Sequence, residues 1–179
     1  MARGVDDLRN RLDRSTAVSE QWRAGTRSER ATTDLLEALE PAGFVVVQLD
    51  HHLVVGPTGV WLVGCRDFPY ALSRGHRGGL WTGWHPISGV LLETKGCTEA
   101  VSRHLGTPVE PVLAVHTAAV PGRHLVHDGV HVVDATRALV PLVRDRAPTL
   151  DDVEVARLAA AAPTAYGATS GRRRSDPSP

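Results

Sequence analysis

LDHHLVVGPTGVWLVGCRDF, the stretch from Leu49 to Phe68, decides the fold of this chain. Its two apolar runs, at residues 53–55 and 60–63, are hydrophobic on both faces, which is typical of strands in the middle of an α/β sheet. The segment Gly56-Pro57-Thr58-Gly59 between them predicts a tight turn. We therefore expect two adjacent central strands that are joined as a hairpin.

Polar residues flank both strands of this hairpin. Asp50, His51 and His52 precede the first strand, and Gly64-Cys65-Arg66-Asp67 ends the second. Residues at the ends of central strands are where α/β proteins commonly carry their chemistry. The function of the chain therefore depends on what these flanking residues can do.

The rest of the chain alternates between helix-like and strand-like patterns, so the sequence predicts an α/β fold. A glycine-rich loop at residues 74–79 is interpreted as a turn between strands, because its spacing matches neither a Walker loop nor a dinucleotide fingerprint. The expected elements are a helix from 26 or 28 to 40, strands at 44–49 and 80–84 (an edge strand), a helix at 88–105 closed by Gly106, strands at 111–116 and 129–134, and helices at 135–143 and from 149 to about 162.

A length of 179 residues suits one domain with a sizeable core. We expect a short N-terminal helix or arm at residues 1–21 and an α/β domain at 22–145. A C-terminal helix at 146–163 should end at Pro163. The Gly-, Ser-, Pro- and Arg-rich residues 164–179 are expected to form a disordered tail.

Composition narrows the function classes. The chain has 20 basic and 20 acidic residues, and it carries no net charge. Without three arginines and one aspartate of the tail, 17 basic and 19 acidic residues remain, so no global basic footprint for nucleic acid is present. No apolar run reaches the roughly 18–20 residues of a membrane helix, and the first residues are charged. We therefore expect a cytoplasmic protein without a membrane partner, whose two cysteines are reduced.

Several segments carry a family resemblance: Gly25 to Glu29 at the head of a helix, HHLVVGPTGVWLVGCRDF, LWTGW, PVEPVLAVH and GVHVV. Together they resemble the nuclease-related domain (NERD) over about residues 22–143. The hairpin is the most specific part, because the family reads there as an acidic residue followed by His-Leu-Val-Val-Gly-Pro-Thr-Gly-Val. The resemblance implies a restriction-endonuclease-like core of the PD-(D/E)XK type, with a central mixed sheet flanked by helices. In such a core, carboxylates and a lysine hold a divalent metal and position a water against a phosphodiester.

Carried over onto this sequence, the helix acid of the family falls on Glu29, which is retained. The strand acid falls on His51, and the family's neighbouring histidine on His52. The acid-X-lysine triplet falls on Gly64-Cys65-Arg66, so glycine replaces the acid and arginine, which stays protonated, replaces the lysine. The resemblance therefore implies a domain that has lost metal-dependent cleavage, holds no cofactor, and acts as a binding or scaffold module for a partner that the sequence does not name.

Two alternatives remain open. A divergent nuclease would hold Mg²⁺ or Mn²⁺ through Glu29, Asp50 and Asp67, although a shift of one residue along a strand turns a side chain to the other face. The other alternative is a non-catalytic nucleic-acid binder, which the near-neutral charge disfavours. Glu93-Thr94-Lys95 spells the family triplet, but it lies in a predicted helix, where successive side chains diverge instead of alternating.

Two further residue sets have simple structural interpretations. His124, His127 and His131 have a spacing that would suit zinc on a helix, but Pro121-Gly122 and Asp128-Gly129 make a helix there unfavourable, so no zinc site is expected. The four tryptophans could stack on bases, but in apolar strands such residues usually belong to the core. We interpret them as core residues. They are Trp22, Trp61, Trp81 and Trp84.

Overall fold

The computed structural model describes residues 27–48, 51–75 and 78–170. The predicted arm at 1–21 and residues 171–179 of the predicted tail lie outside these ranges. Helix α1 covers residues 27–37 of the described chain, and the other helices are α2 (Ser88–Leu105), α3 (Leu139–Arg144) and α4 (Asp152–Ser170). The strands are β1 (Val45–Gln48), β2 (His52–Gly56), β3 (Gly59–Arg66), β4 (Leu72–Arg74), β5 (Leu80–Thr82), β6 (His85–Pro86), β7 (Glu110–Val115), β8 (His124–His127) and β9 (Val130–Asp134).

Six strands form a mixed sheet in the order β1-β2-β3-β7-β9-β8. Strands β3, β7 and β9 are parallel, and the remaining neighbours pair in antiparallel fashion. In the β2–β3 hairpin His52 pairs with Val63, and Gly56 pairs with Gly59 across the Pro57-Thr58 turn. The α/β class, the mixed sheet flanked by helices and the central hairpin are therefore confirmed.

Strand alternation divides the hairpin between two helical layers. Val54, Trp61 and Val63 are buried against residues of α1 and α3, on what we call the α1 face of the sheet. Leu53 and Leu62 are buried against residues of α2 and α4, on what we call the α2 face. Because both faces are covered, the two strands are apolar along almost their whole length.

A smaller sheet of β4, β5 and β6 packs beside the main sheet. Strand β5 is its middle strand, so the expected edge position of residues 80–84 is wrong. The glycine-rich loop closes the β4–β5 hairpin through a hydrogen bond from Gly75 N to Gly79 O of 2.9 Å, which confirms its interpretation as a turn. The edge prediction failed because two-residue β6, which contains Pro86, is too short to give a strand signal.

The two largest differences from the predicted helix boundaries are at the start of α3 and at the end of α4. Helix α3 begins at Leu139 instead of Ala135, because Asp134 accepts hydrogen bonds from the backbone of the turn that precedes the helix. Helix α4 continues through Pro163 to Ser170, so the predicted stop and the start of the tail at residue 164 are wrong. The alanine run at residues 159–162 has the highest helix propensity, which favours continuation despite the proline. In the described residues no helix has both the length and the apolarity to cross a membrane.

Candidate functional site

The predicted site residues are divided between the two faces of the hairpin. His52 faces α1, because it shares a face with its strand partner Val63 and bonds to a side chain of α1. His51 faces α2, because its ring lies beside Gly64 and close to Thr94 of α2. Adjacent histidines therefore have different surroundings, as strand alternation requires.

On the α2 face, the His51 ring packs beside Gly64, the position onto which the sequence resemblance places the second carboxylate. A Cβ atom built on Gly64 would lie 3.2 Å from His51 Cδ2 and 3.8 Å from Thr94 Oγ1. His51 is itself buried, with 9% of its surface exposed. Position 64 thus supplies no ligand atom and has little space for a longer side chain.

Arg66, onto which the sequence resemblance places the family's lysine, is held by an ion pair. Arg66 Nη2 lies 3.4 Å from Glu93 Oε2 of α2, and Arg66 also donates to the carbonyl of Cys65 at 3.0 Å. Glu93, the first residue of the helical Glu93-Thr94-Lys95 triplet, therefore acts as the counterion of the arginine. A permanently charged guanidinium here opposes the binding of a divalent cation.

On the α1 face, two threonines of α1 bond to two histidines of the sheet. Thr32 Oγ1 lies 2.7 Å from Nε2 of His116, which directly follows β7, and Thr33 Oγ1 lies 2.9 Å from His52 Nε2. Each hydroxyl also donates to a backbone carbonyl of its own helix, at 2.8 Å and 3.0 Å respectively. Since each hydroxyl has one proton and donates it to that carbonyl, its oxygen accepts a hydrogen bond from Nε2 of the histidine.

The electrostatics agree with neutral groups in this cluster. Burial lowers the pKa of His52, and hydrogen bonding to the backbone of Val63 opposes this only in part. Burial also lowers the pKa of His116, against the opposing charges of Asp67 and Asp134. Burial raises the pKa of the Cys65 thiol, so Cys65 is a poor nucleophile at neutral pH.

The carboxyl ends of the three parallel strands meet beside this cluster, which is where open α/β sheets usually bind ligands. Asp67 follows β3, His116 follows β7 and Asp134 ends β9. Asp134 Oδ1 accepts from the backbone N–H groups of Thr136 and Arg137, each at 3.1 Å, so it is used structurally. Asp67 Oδ1 is buried and has no hydrogen-bond partner within the described ranges.

Glu29, onto which the sequence resemblance places the helix acid, is exposed on α1. It lies in an open, polar cleft of about 760 Å³. The other residues that line this cleft are Arg27, Arg30, Thr33, Asp34, Glu37 and Gln48. Asp50 lies outside the described residues, so the trio Glu29, Asp50 and Asp67 stays a prediction. Over residues 27–48, 51–75 and 78–170, no three His, Cys, Asp or Glu side chains form a group that could hold a metal ion.

His124, His127 and His131, whose spacing would suit zinc on a helix, lie on the β8–β9 hairpin. The prediction that this segment is not a helix is therefore confirmed. His124 Nε2 and His131 Nδ1 are 2.9 Å apart on neighbouring strands, and His127 faces the other side. His131 Nε2 lies 3.5 Å from Glu110 Oε2, and Arg146 covers the buried Trp61 ring at 4.6 Å. This cluster at the opposite end of the parallel strands ties the loop before α4 to the sheet.

Comparison of the chain with protein-family models, with curated proteins and with solved structures finds no match. The resemblance to nuclease-related domains therefore stays a prediction from the sequence segments named above, of which the hairpin is the most specific. Sequence reasoning identified the hairpin flanks but missed Thr32, Thr33 and His116. The only sequence signal for them was a Thr-Thr pair on a helix and a histidine directly after an apolar strand.

Proposed function

We propose that this chain is a nuclease-related α/β domain with a restriction-endonuclease-like core, that it has lost metal-dependent phosphodiester cleavage, and that it acts as a binding or scaffold module. The observation that carries the proposal is the packing of His51 beside Gly64, in the place where the family has two metal-binding carboxylates. The sequence motif supports the family relation, and the packing supports the loss of chemistry.

The physical argument concerns the ligands that a hard cation needs. Mg²⁺ and Mn²⁺ are held by carboxylate oxygens, and a nuclease site needs them close to the attacking water. Position 64 provides only hydrogen, and position 51 provides an imidazole. Arg66, with Glu93 as its counterion at 3.4 Å, adds a positive charge that cannot dissociate.

The direct test is calorimetric titration of MgCl₂ and of MnCl₂ into the full chain, together with a plasmid-nicking assay. We expect no nicking and no metal binding that depends on Glu29. The variant Glu29→Ala is the control for binding by the retained acid, and exposed Glu37→Ala in the same cleft is the matched control. Metal binding that Glu29→Ala abolishes, together with nicking, would contradict the loss of cleavage.

A restoration experiment tests the family relation itself. The triple variant His51→Asp, Gly64→Asp, Arg66→Lys rebuilds the family pattern, and removal of the His51 ring frees the space that an acid at position 64 needs. We expect the triple variant to gain Mn²⁺ binding that the same variant without Gly64→Asp lacks. A folded triple variant that binds no metal would argue against a restriction-endonuclease-like core.

The divergent nuclease is the second candidate, and one observation favours it. Asp67 Oδ1 is buried without a hydrogen-bond partner in the described part of the chain, and Asp67 acts electrostatically on His116 of the α1 face, the face that carries Glu29. This candidate requires that Asp67→Asn and Glu29→Ala each abolish both metal binding and nicking. If Asp67→Asn retains both metal binding and nicking, the divergent nuclease is excluded.

A further inference from the structure

The small sheet carries an exposed aromatic surface, which consists of Tyr70, Trp81 and Trp84. Trp84 is 91% exposed and Tyr70 is 60% exposed, while Trp81 is partly buried. The interpretation of the tryptophans as core residues is therefore wrong for Trp84 and confirmed for the fully buried Trp61, while Trp22 lies outside the described residues. The prediction failed because Trp84 lies in the β5–β6 turn, outside the strand that the apolar pattern suggested.

Contacts with the backbone of neighbouring residues position the Tyr70 and Trp81 rings. Gly83 has a left-handed φ of +56°, and a Cβ atom there would lie only 2.8 Å from Tyr70 Cδ2, so the Tyr70 ring covers the residue next to Trp84. Thr82 Oγ1 donates to the carbonyl of Tyr70 at 2.9 Å. The Trp81 ring covers Gly75, because a Cβ atom there would lie 2.5 Å from Trp81 Nε1.

The sequence around this surface has a one-sided charge. Residues 68–92 contain no aspartate or glutamate, although the chain as a whole has 20 acidic residues. The same stretch contains two arginines and two histidines, and the side chains of Arg74 and His85 are exposed. A neutral protein therefore has a local stretch that complements an anionic ligand.

We propose that the aromatic surface binds single-stranded nucleic acid. Bases of an unpaired strand would stack on Trp84 and Tyr70. Arg74, which pairs with Leu80 at the other end of β5, would contact phosphates farther along the same strand. Stacking and phosphate contacts together are how proteins bind single strands with little sequence preference. Duplexes bury their base faces, so an exposed tryptophan at a turn gives them no comparable contact. The proposal names a partner class for the binding module proposed above, and in that sense it rests on the proposed function. The aromatic surface itself lies outside the β2–β3 hairpin, so its binding can be tested independently of the loss of cleavage.

The test is fluorescence anisotropy of labelled oligonucleotides of roughly 16 nucleotides, the upper end of common single-strand site sizes, as DNA, as RNA and as a duplex at low salt. Because Trp84 is almost fully exposed, its replacement should not affect folding. Urea unfolding of each variant checks this. We expect Trp84→Ala to weaken single-strand binding about 5- to 150-fold, the effect of losing one stacked base. Trp84→Phe should retain most of the affinity.

Two matched controls separate this surface from general effects. Leu92→Ala removes an apolar side chain that is 71% exposed on α2, and Arg157→Ala removes an exposed arginine of α4. Neither should change binding by more than about twofold, which is less than 0.5 kcal/mol. Arg74→Ala should weaken binding and reduce the slope of log K against log salt by about 0.7, the value for one phosphate contact on a single strand.

Three results would overturn the proposal. The first is that no single strand binds at low salt. The second is that Trp84→Ala and Leu92→Ala lose the same amount of single-strand affinity, and the third is that the duplex binds more tightly than the single strand. A dimer that Trp84→Ala dissociates, without oligonucleotide binding, would assign the surface to a second copy of the chain and would also overturn it. Metal-dependent nicking with intact single-strand binding would overturn only the loss of cleavage, so failures of the two proposals can be distinguished.

Discussion

The contact between α1 and the sheet offers a sharp test of the α1-face cluster through Thr32→Val. Thr32 has no exposed surface, and its hydroxyl lies 2.7 Å from His116 Nε2 and 2.8 Å from the Ser28 carbonyl. Valine has nearly the same shape but cannot hydrogen-bond. The substitution therefore removes the acceptor for the His116 N–H without creating a cavity.

The expected loss in the free energy of unfolding follows from the two polar groups that lose the threonine hydroxyl as a hydrogen-bond partner. The Ser28 carbonyl lies in a helix, so the loss of the threonine hydroxyl matters little there. His116 is partly buried, and a buried donor that loses its acceptor costs about 1–3 kcal/mol. Because His116 retains some access to water, we expect the loss to lie in the lower part of this range. Thr32→Val should lower the free energy of unfolding by about 1–2 kcal/mol in urea titrations at pH 7.5, with an unchanged m-value.

Thr98→Val is the matched control. Thr98 is also buried in a helix, and its hydroxyl donates to the Thr94 carbonyl at 2.8 Å. In the described part of the chain it has no side-chain partner, so its replacement should change stability by less than about 0.5 kcal/mol. If Thr32→Val and Thr98→Val unfold at the same urea concentration, the Thr32–His116 contact does not stabilise the fold and the argument is refuted.

Two further predictions concern acid stability and glycine packing. Burial lowers the pKa of His52, His116, His124 and His131 below the ordinary 6.5, so below pH 6.5 the unfolded chain binds more protons than the folded chain. This contribution to the free energy of unfolding is complete above pH 6.5 and is lost as the pH falls, by at most about 1.4 kcal/mol per pH unit for each of the buried His52 and His131 and by less for the more exposed His116 and His124. Urea titrations at pH 7.5 and 5.5 that agree would contradict this. Gly56→Ala should destabilise by roughly 1–3 kcal/mol, because its Cβ would lie within 2.5 Å of three atoms of the buried Phe44 ring. Gly96→Ala in α2, where a Cβ meets nothing within 4 Å, should stabilise by up to about 1 kcal/mol. If Gly56→Ala and Gly96→Ala shift the midpoint of thermal unfolding in the same direction, the packing argument is refuted.

The parts of the fold that the sequence predicted depend on local signals. The β2–β3 hairpin has its strands and its turn in one continuous stretch, and α2 has both its apolar period and its closing Gly106. Strand alternation also predicted that Asp67 and Arg66 would not share a face. In the structure Arg66 bonds to α2, whereas Asp67 acts on His116.

The parts that the sequence did not predict depend on contacts between distant residues. Thr32 and His116 are 84 positions apart, and no local pattern links a helical threonine to a histidine after a strand. Strand β8 was missed because His124–His127 has only two apolar residues, and its pairing with β9 supplies the rest of its stability. The exposed Trp84 was missed for a related reason, since burial depends on the position of the turn and not on the residue type.

The packing around the hairpin couples positions 51 and 64, which the proposed family relation assigns to two carboxylates. A side chain at position 64 would press on the His51 ring, whose Cδ2 atom lies only 3.2 Å from the place of a Cβ. An acid could return to position 64 only if the residue at 51 also became smaller, and a lysine at position 66 would still face Glu93 at the ion-pair distance of Arg66. An acid at position 64 alone would therefore meet a steric obstacle before any metal could bind. Under the proposed family relation, the residues at positions 51 and 64 depend on each other, which favours a stable domain without cleavage over an intermediate with partial activity.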